Sequence, residues 1–131
     1  MRSHYDYANV SGLEGLRVLV VEDEPMVAMT LEDALAEFGC KLVAVAETVA
    51  EALAAVEQAP AIDVAVLDVN LGGEKVFPVA DALGARGVPF AFSTGYGPAD
   101  LTQRYPGSGL LNKPYPPLAL ARTLTELAQQ R

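Results

Sequence analysis

Five short runs of β-branched, aliphatic and aromatic residues recur along this chain, and between them the apolar spacing changes to that of a helix. The runs are LRVLVV (Leu16–Val21), KLVAVA (Lys41–Ala46), IDVAVL (Ile62–Leu67), VPFAFS (Val88–Ser93) and GLLN (Gly109–Asn112). Each has the length of a buried strand. After the first, Val27, Leu31, Ala34, Leu35 and Phe38 share one helical face, ended by Gly39. Val49, Ala52, Leu53 and Val56 share a second, ended near Pro60. Val76, Val79, Ala80 and Leu83 form a weaker third, stopped by Gly84 and Gly87. Leu120, Ala121, Leu124, Leu127 and Ala128 mark a terminal helix after the Pro116-Pro117 break. The fourth connection differs: Gly95–Ser108 carries three glycines and two prolines, leaving room only for a short helix near Ala99–Arg104. Strand and helix alternating on this scale predict an α/β domain of right-handed βαβ units. Its core is a doubly wound, five-stranded parallel sheet covered on both faces.

Length and charge narrow what such a domain does. At 131 residues the chain is expected to be one domain. The formal charge of −8 argues against direct nucleic-acid binding, which rests on neutralising phosphates with Lys and Arg. No apolar stretch is long enough to span a bilayer and no signal segment opens the chain, so a soluble cytoplasmic protein without membrane contact is expected. The single cysteine, Cys40, rules out an internal disulfide and fits a reducing compartment; beside Gly39 it reads as a small filler. Residues 1–15 show no periodicity and read as a flexible or loosely packed extension.

Four polar groups follow four of the strand runs. The triplet Glu22-Asp23-Glu24 follows the first, Asp68 the third, Thr94 the fourth and Lys113-Pro114 the fifth. In a parallel sheet, ligands bind outside the carboxyl ends of the strands, so these groups should converge on one crevice. A carboxylate there accepts a phosphoryl group if attack is in line and the transferring charge is neutralised, and Asp68 is placed for that. Mg2+ takes hard oxygens, which Glu22 and Asp23 supply with Asp68 as a further ligand. Lys113 offers a point charge to one phosphoryl oxygen and Thr94 a hydroxyl to another. Glu24 is expected to point away. Crowded acids repel, so at least one carboxyl pKa should be raised. The peptide before Pro114 is open to cis or trans.

From about Leu16 to Arg131 the chain resembles the receiver domains of two-component response regulators. The matching pieces are VLVVEDEP, VLDVNL, PFAFSTGYG and NKPY. The resemblance implies a flavodoxin-like fold with a short or irregular fourth helix, residues 1–15 as an extension and residues 16–131 as the receiver. It implies that Asp68 is the phosphorylated residue and that Asp23, Asp68 and the backbone carbonyl of Asn70 bind Mg2+. Glu22 then acts through water, while Thr94 and Lys113 hold phosphoryl oxygens. The implied partners are a sensor histidine kinase or histidine phosphotransfer protein and a downstream protein target. PFAFSTGY is also similar to the signature of the FAT GUY subgroup, single-domain regulators some of which are linked to general stress signalling. Ser93 stands where that signature has Ala.

Departures from the family pattern point to a different switch. Receivers usually carry Tyr or Phe three residues before the lysine, where this chain has Leu110. The segment after Asp68 also lacks the common Met-Pro. The mobile element is therefore expected to be Gly95-Tyr96-Gly97, with Tyr96, Tyr105 and Tyr115 on the partner surface. Asn70 and Tyr96, two residues beyond Asp68 and Thr94, flank the route of a hydrolytic water. A pseudo-receiver, acting by contact without phosphoryl chemistry, is the alternative, but Asp68, Thr94 and Lys113 are all present. A phosphohydrolase of the haloacid-dehalogenase type needs a second Asp where this chain has Asn70, which cannot exchange the proton. The expected chemistry is limited to self-phosphorylation and dephosphorylation.

Overall fold

The computed structural model describes residues 12–95 and 101–130. Its strands are β1 (Arg17–Val21), β2 (Lys41–Ala46), β3 (Val64–Asp68), β4 (Asn70–Leu71), β5 (Glu74–Lys75), β6 (Phe90–Thr94) and β7 (Gly109–Asn112). The helices are α1 (Pro25–Glu37), α2 (Val49–Gln58), α3 (Phe77–Ala85), α4 (Leu101–Arg104) and α5 (Pro117–Ala128). The main sheet has the order β2-β1-β3-β6-β7, and every pair in it is parallel.

Strand residues alternate between two cores, as a period of two requires. Val18, Val20, Val64, Val66 and Leu111 pack on α1 and α5, through Leu31, Leu35, Leu120 and Leu124. Leu19, Val21, Ala65, Leu67 and Phe92 pack on α2 and α3, through Ala52, Val56, Val79 and Leu83. Truncating a fully buried leucine such as Leu19 or Leu124 to Ala should cost about 2–5 kcal/mol. α5 can lie so close to the start of β7 only because residue 109 is glycine: a Cβ there would sit 2.9 Å from Thr123 Cγ2.

Several boundaries differ from the sequence expectation, each for a local reason. Asp63 is drawn out of the strand run by its contacts with Arg17, so β3 begins at Val64. Pro89 has no N–H for the ladder, and β6 begins after it. The third helix passes through Gly84 and ends at Ala85, where Arg86 and Gly87 close the turn. Pro117 does not break the terminal helix but opens it, its fixed φ suiting the first helical position. Leu13, within the expected extension, is only 5% exposed in the α1/α5 core, and the Gly15 N–H donates to Gly39 O at 2.8 Å. Among the described residues no helix is long and apolar enough to cross a membrane.

Candidate functional site

The carboxyl ends of β1, β3, β6 and β7 lie side by side. Val21 pairs with Leu67, Asp68 with Ser93, and Thr94 with Asn112. Glu22 and Asp23 therefore leave the sheet beside Asp68, Thr94 and Lys113. The Lys113 N–H donates to Thr94 O at 2.8 Å, and the Lys113-Pro114 peptide is cis. From there the Lys113 ammonium reaches across the edge to Glu22 Oε1 at 2.8 Å and Asp68 Oδ2 at 3.3 Å. Thr94 is 3% exposed, at the end of the neighbouring strand. Glu24 is exposed and contributes only its backbone N–H, 3.1 Å from Glu22 Oε2.

Glu22 is the site's most buried acid, at 1% exposure. Burial holds its carboxyl above the usual range; Lys113 and the Glu24 N–H pull it back, and Asp68 pushes it up again. A raised carboxyl was expected from like-charge crowding, but lost solvation is the larger cause. For Lys113, burial disfavours the charged ammonium, yet Glu22 and Asp68 outweigh it and its pKa ends above the usual value.

Carboxylate oxygens of Glu22, Asp23 and Asp68 lie within 4.8 Å of one another. Opposite ligands of an octahedral Mg2+ are about 4.2 Å apart, given metal–oxygen distances of about 2.1 Å. The donor set is hard oxygen throughout, so the residues present fit Mg2+.

A feature the sequence reading missed closes this edge. β4 and β5 form a tiny antiparallel hairpin directly after Asp68, pairing Asn70 with Lys75 and Leu71 with Glu74. Its turn is Gly72-Gly73, with φ of 57° and 95°, a backbone that suits glycine at both places. The hairpin touches two acids: the Asn70 N–H donates to Asp68 Oδ1 at 3.3 Å and the Gly72 N–H to Asp23 Oδ2 at 3.0 Å. A Gly-Gly pair two residues after Asn70 was the available signal.

The expected switch loop is only partly within view, because Tyr96 and Gly97 lie outside the described residues. Leu110 is half-buried beside the α2/α3 core, and the aromatic bulk there comes from Tyr105. That ring stacks on Phe77 at 5.9 Å and tilts against Phe92 at 5.4 Å, while its hydroxyl donates to Asp81 at 2.9 Å. Tyr105 is thus an integral part of that wall, and Tyr115 is half-buried with its hydroxyl 3.5 Å from Ser93 Oγ.

Comparison with known proteins agrees with this geometry. The family model for the response regulator receiver domain matches residues 18–124. Over 112 residues, the chain is 30% identical to the phyllosphere-induced regulator PhyR of Methylorubrum extorquens, covering 83% of this chain and 42% of PhyR. The crystal structure of PhyR from Brucella abortus superposes with a TM-score of 0.78 at 26% identity, covering 88% of this chain and 48% of that one. The solution structure of SdrG from Sphingomonas melonis Fr1 gives 0.75 at 44% identity, over 89% of this chain and 98% of SdrG. The BeF3-activated conformation of SdrG from Pseudomonas melonis Fr1 gives 0.72 at 46% identity, over 86% and 95%. The chain thus spans less than half the length of either PhyR but nearly all of SdrG.

Proposed function

This chain belongs to the response regulator receiver domain family, and from that premise we propose that it is a two-component phosphorelay regulator phosphorylated on Asp68. The observation that carries the reading is the bridge from Lys113 to both Glu22 and Asp68 beside three clustered carboxylates. An Asp68 oxygen attacks the donor phosphorus, and the bond from phosphorus to the donor breaks, its electron pair leaving with the donor. Lys113 keeps its contact with Glu22 and turns its remaining donors to a phosphoryl oxygen. Thr94 donates its hydroxyl to another. Lys113 already stands beside Asp68, which lowers the reorganisation that transfer requires. Mg2+ would be held by Asp23, Asp68 and the Asn70 carbonyl, with Glu22 acting through water, and would supply charge neutralisation for the phosphoryl group.

The phosphate comes from a sensor histidine kinase or a histidine phosphotransfer protein. The signal leaves by contact with a target protein or by onward transfer. A single-domain regulator is the form that the near-complete overlap with SdrG favours; the resemblance of PFAFSTGY to a stress-linked subgroup favours a role in stress signalling, with the cytoplasm as its expected setting. The test is incubation with acetyl phosphate and Mg2+ followed by mass spectrometry of the intact chain. Wild type should gain one phosphoryl group and Asp68→Ala none. An unlabelled wild type, or a labelled Asp68→Ala protein, overturns the reading.

A further inference from the structure

The β4–β5 hairpin carries one contact that the transfer chemistry does not use: the Lys75 ammonium donates to the side-chain oxygen Oδ1 of Asn70. The two residues face each other as a cross-strand pair, so their side chains leave the same face of the ribbon. The hairpin itself is fixed. The Val76 N–H closes it onto Val69 O at 3.0 Å, and the Gly72 N–H ties its tip to Asp23. Asn70 also stands beside the phosphorylatable carboxylate, its backbone N–H 3.3 Å from Asp68 Oδ1.

We propose that Lys75 is a positioning residue that sets the lifetime of the phosphorylated protein by occupying Asn70 Oδ1. The inference rests on phosphorylation at Asp68. Hydrolysis of an acyl phosphate adds water to phosphorus and breaks the bond from phosphorus to the Asp68 oxygen. The aspartate carboxylate leaves with the electron pair, inorganic phosphate forms, and the water's proton passes to phosphate or solvent. The attacking water is most effective when an acceptor aligns it, and a carboxamide oxygen is such an acceptor. An ammonium held on Oδ1 takes one of its two lone pairs and draws electron density from the other, which makes the oxygen a poorer acceptor for water. Lys75 therefore slows loss of phosphate. It does so through Asn70, without touching the reacting atoms.

The proteins to compare are wild type, Lys75→Met, Lys75→Arg, Asn70→Ala and the Lys75→Met/Asn70→Ala double variant. Each is phosphorylated with acetyl phosphate at saturating Mg2+, freed of donor, and followed by intact mass. Lys75→Met should lose its phosphate roughly five-fold faster, the scale of one hydrogen bond's influence on a rate. Lys75→Arg should retain the wild-type lifetime. In the Asn70→Ala background, Lys75→Met should change nothing further. Melting temperatures of wild type and Lys75→Met should coincide, since an exposed pair adds little to stability. An unchanged Lys75→Met lifetime, or an acceleration that persists without the Asn70 side chain, overturns the proposal while leaving phosphorylation intact. A wild type that takes no label overturns both.

Discussion

The two ends of the sheet each hold an ion pair, and they are built on opposite plans. At the amino end, Asp63 receives the Arg17 guanidinium through two N–H groups at 3.0 Å each, and the Arg17 backbone N–H at 2.8 Å. One acid meets one base in a fork that fits it, and Asp63 is 7% exposed. At the carboxyl end, Glu22, Asp23 and Asp68 cluster together, and among the described residues Lys113 is the cation paired there, with Glu22 and Asp68. Three carboxylates facing one ammonium leave an excess of two formal negative charges. Charge balance separates the two: the amino end is complete as folded, whereas the carboxyl end gains by taking up a cation and a charged group.

The sharpest way to break this contrast is to remove an acid from each end. Asp63→Ala strands the Arg17 backbone donor and should lower Tm by roughly 5–10 °C, equally with and without Mg2+. Asp23→Ala should leave the Mg2+-free Tm near wild type while abolishing the Mg2+ response. If Asp63→Ala loses the Mg2+ response while Asp23→Ala keeps it, the assignment of roles is wrong.

Next in size is the metal response itself. Mg2+ should raise the wild-type Tm, by about 1.4 kcal/mol of stability at roughly ten times its dissociation constant. Calorimetry across a Mg2+ titration measures this. A flat response would put the carboxyl end in the same class as the amino end.

Titration gives a smaller effect with a definite sign. Glu22 binds its proton more tightly in the folded chain than in the unfolded one, chiefly because it is buried. A carboxyl of that kind costs the folded state stability as pH rises from the ordinary carboxylate range through its raised value. Without Mg2+, wild type should therefore lose stability relative to Glu22→Gln as pH climbs from about 4.5 toward neutrality. Urea denaturation of both proteins at pH 4.5, 6 and 7.5 reads the trend, and parallel curves would remove Glu22 from the account.

The smallest expected effect lies at the amino end, where Cys40 precedes β2. Burial pushes its thiol up to about 11. The folded thiol keeps its proton to higher pH than the unfolded one, so its effect on stability is confined to pH 9–11, where stability falls as pH rises. Near neutrality it should react with iodoacetamide far more slowly than the urea-unfolded chain. Equal rates would mean that this end is less closed than the ion pair suggests.

Much of the architecture was open to reading because it is local. Lys41–Ala46 and Gly109–Asn112 are strands with the bounds their apolar runs suggest, and Val27, Leu31 and Leu35 do share a helical face. What escaped was set by neighbours in space or by turn chemistry inside a connection. Leu13 looks featureless in sequence because its core partners are supplied by α1 and α5. The β4–β5 hairpin is two residues per strand, too short for an alternating pattern to register.

At the site, the sequence by itself determined which polar groups stand at the strand ends, since strand period and the parallel arrangement carry them there. Only the tertiary structure decided how they are paired. Glu22 and Lys113 are 91 positions apart, and burial of Glu22 by the packed edge of the sheet raises its carboxyl against the pull of that contact. The 49-residue span from Asp23 to the Gly72 N–H is of the same kind. Periodicity is written in the order of residues, whereas solvation and long-range pairing exist only once the layers have closed on one another.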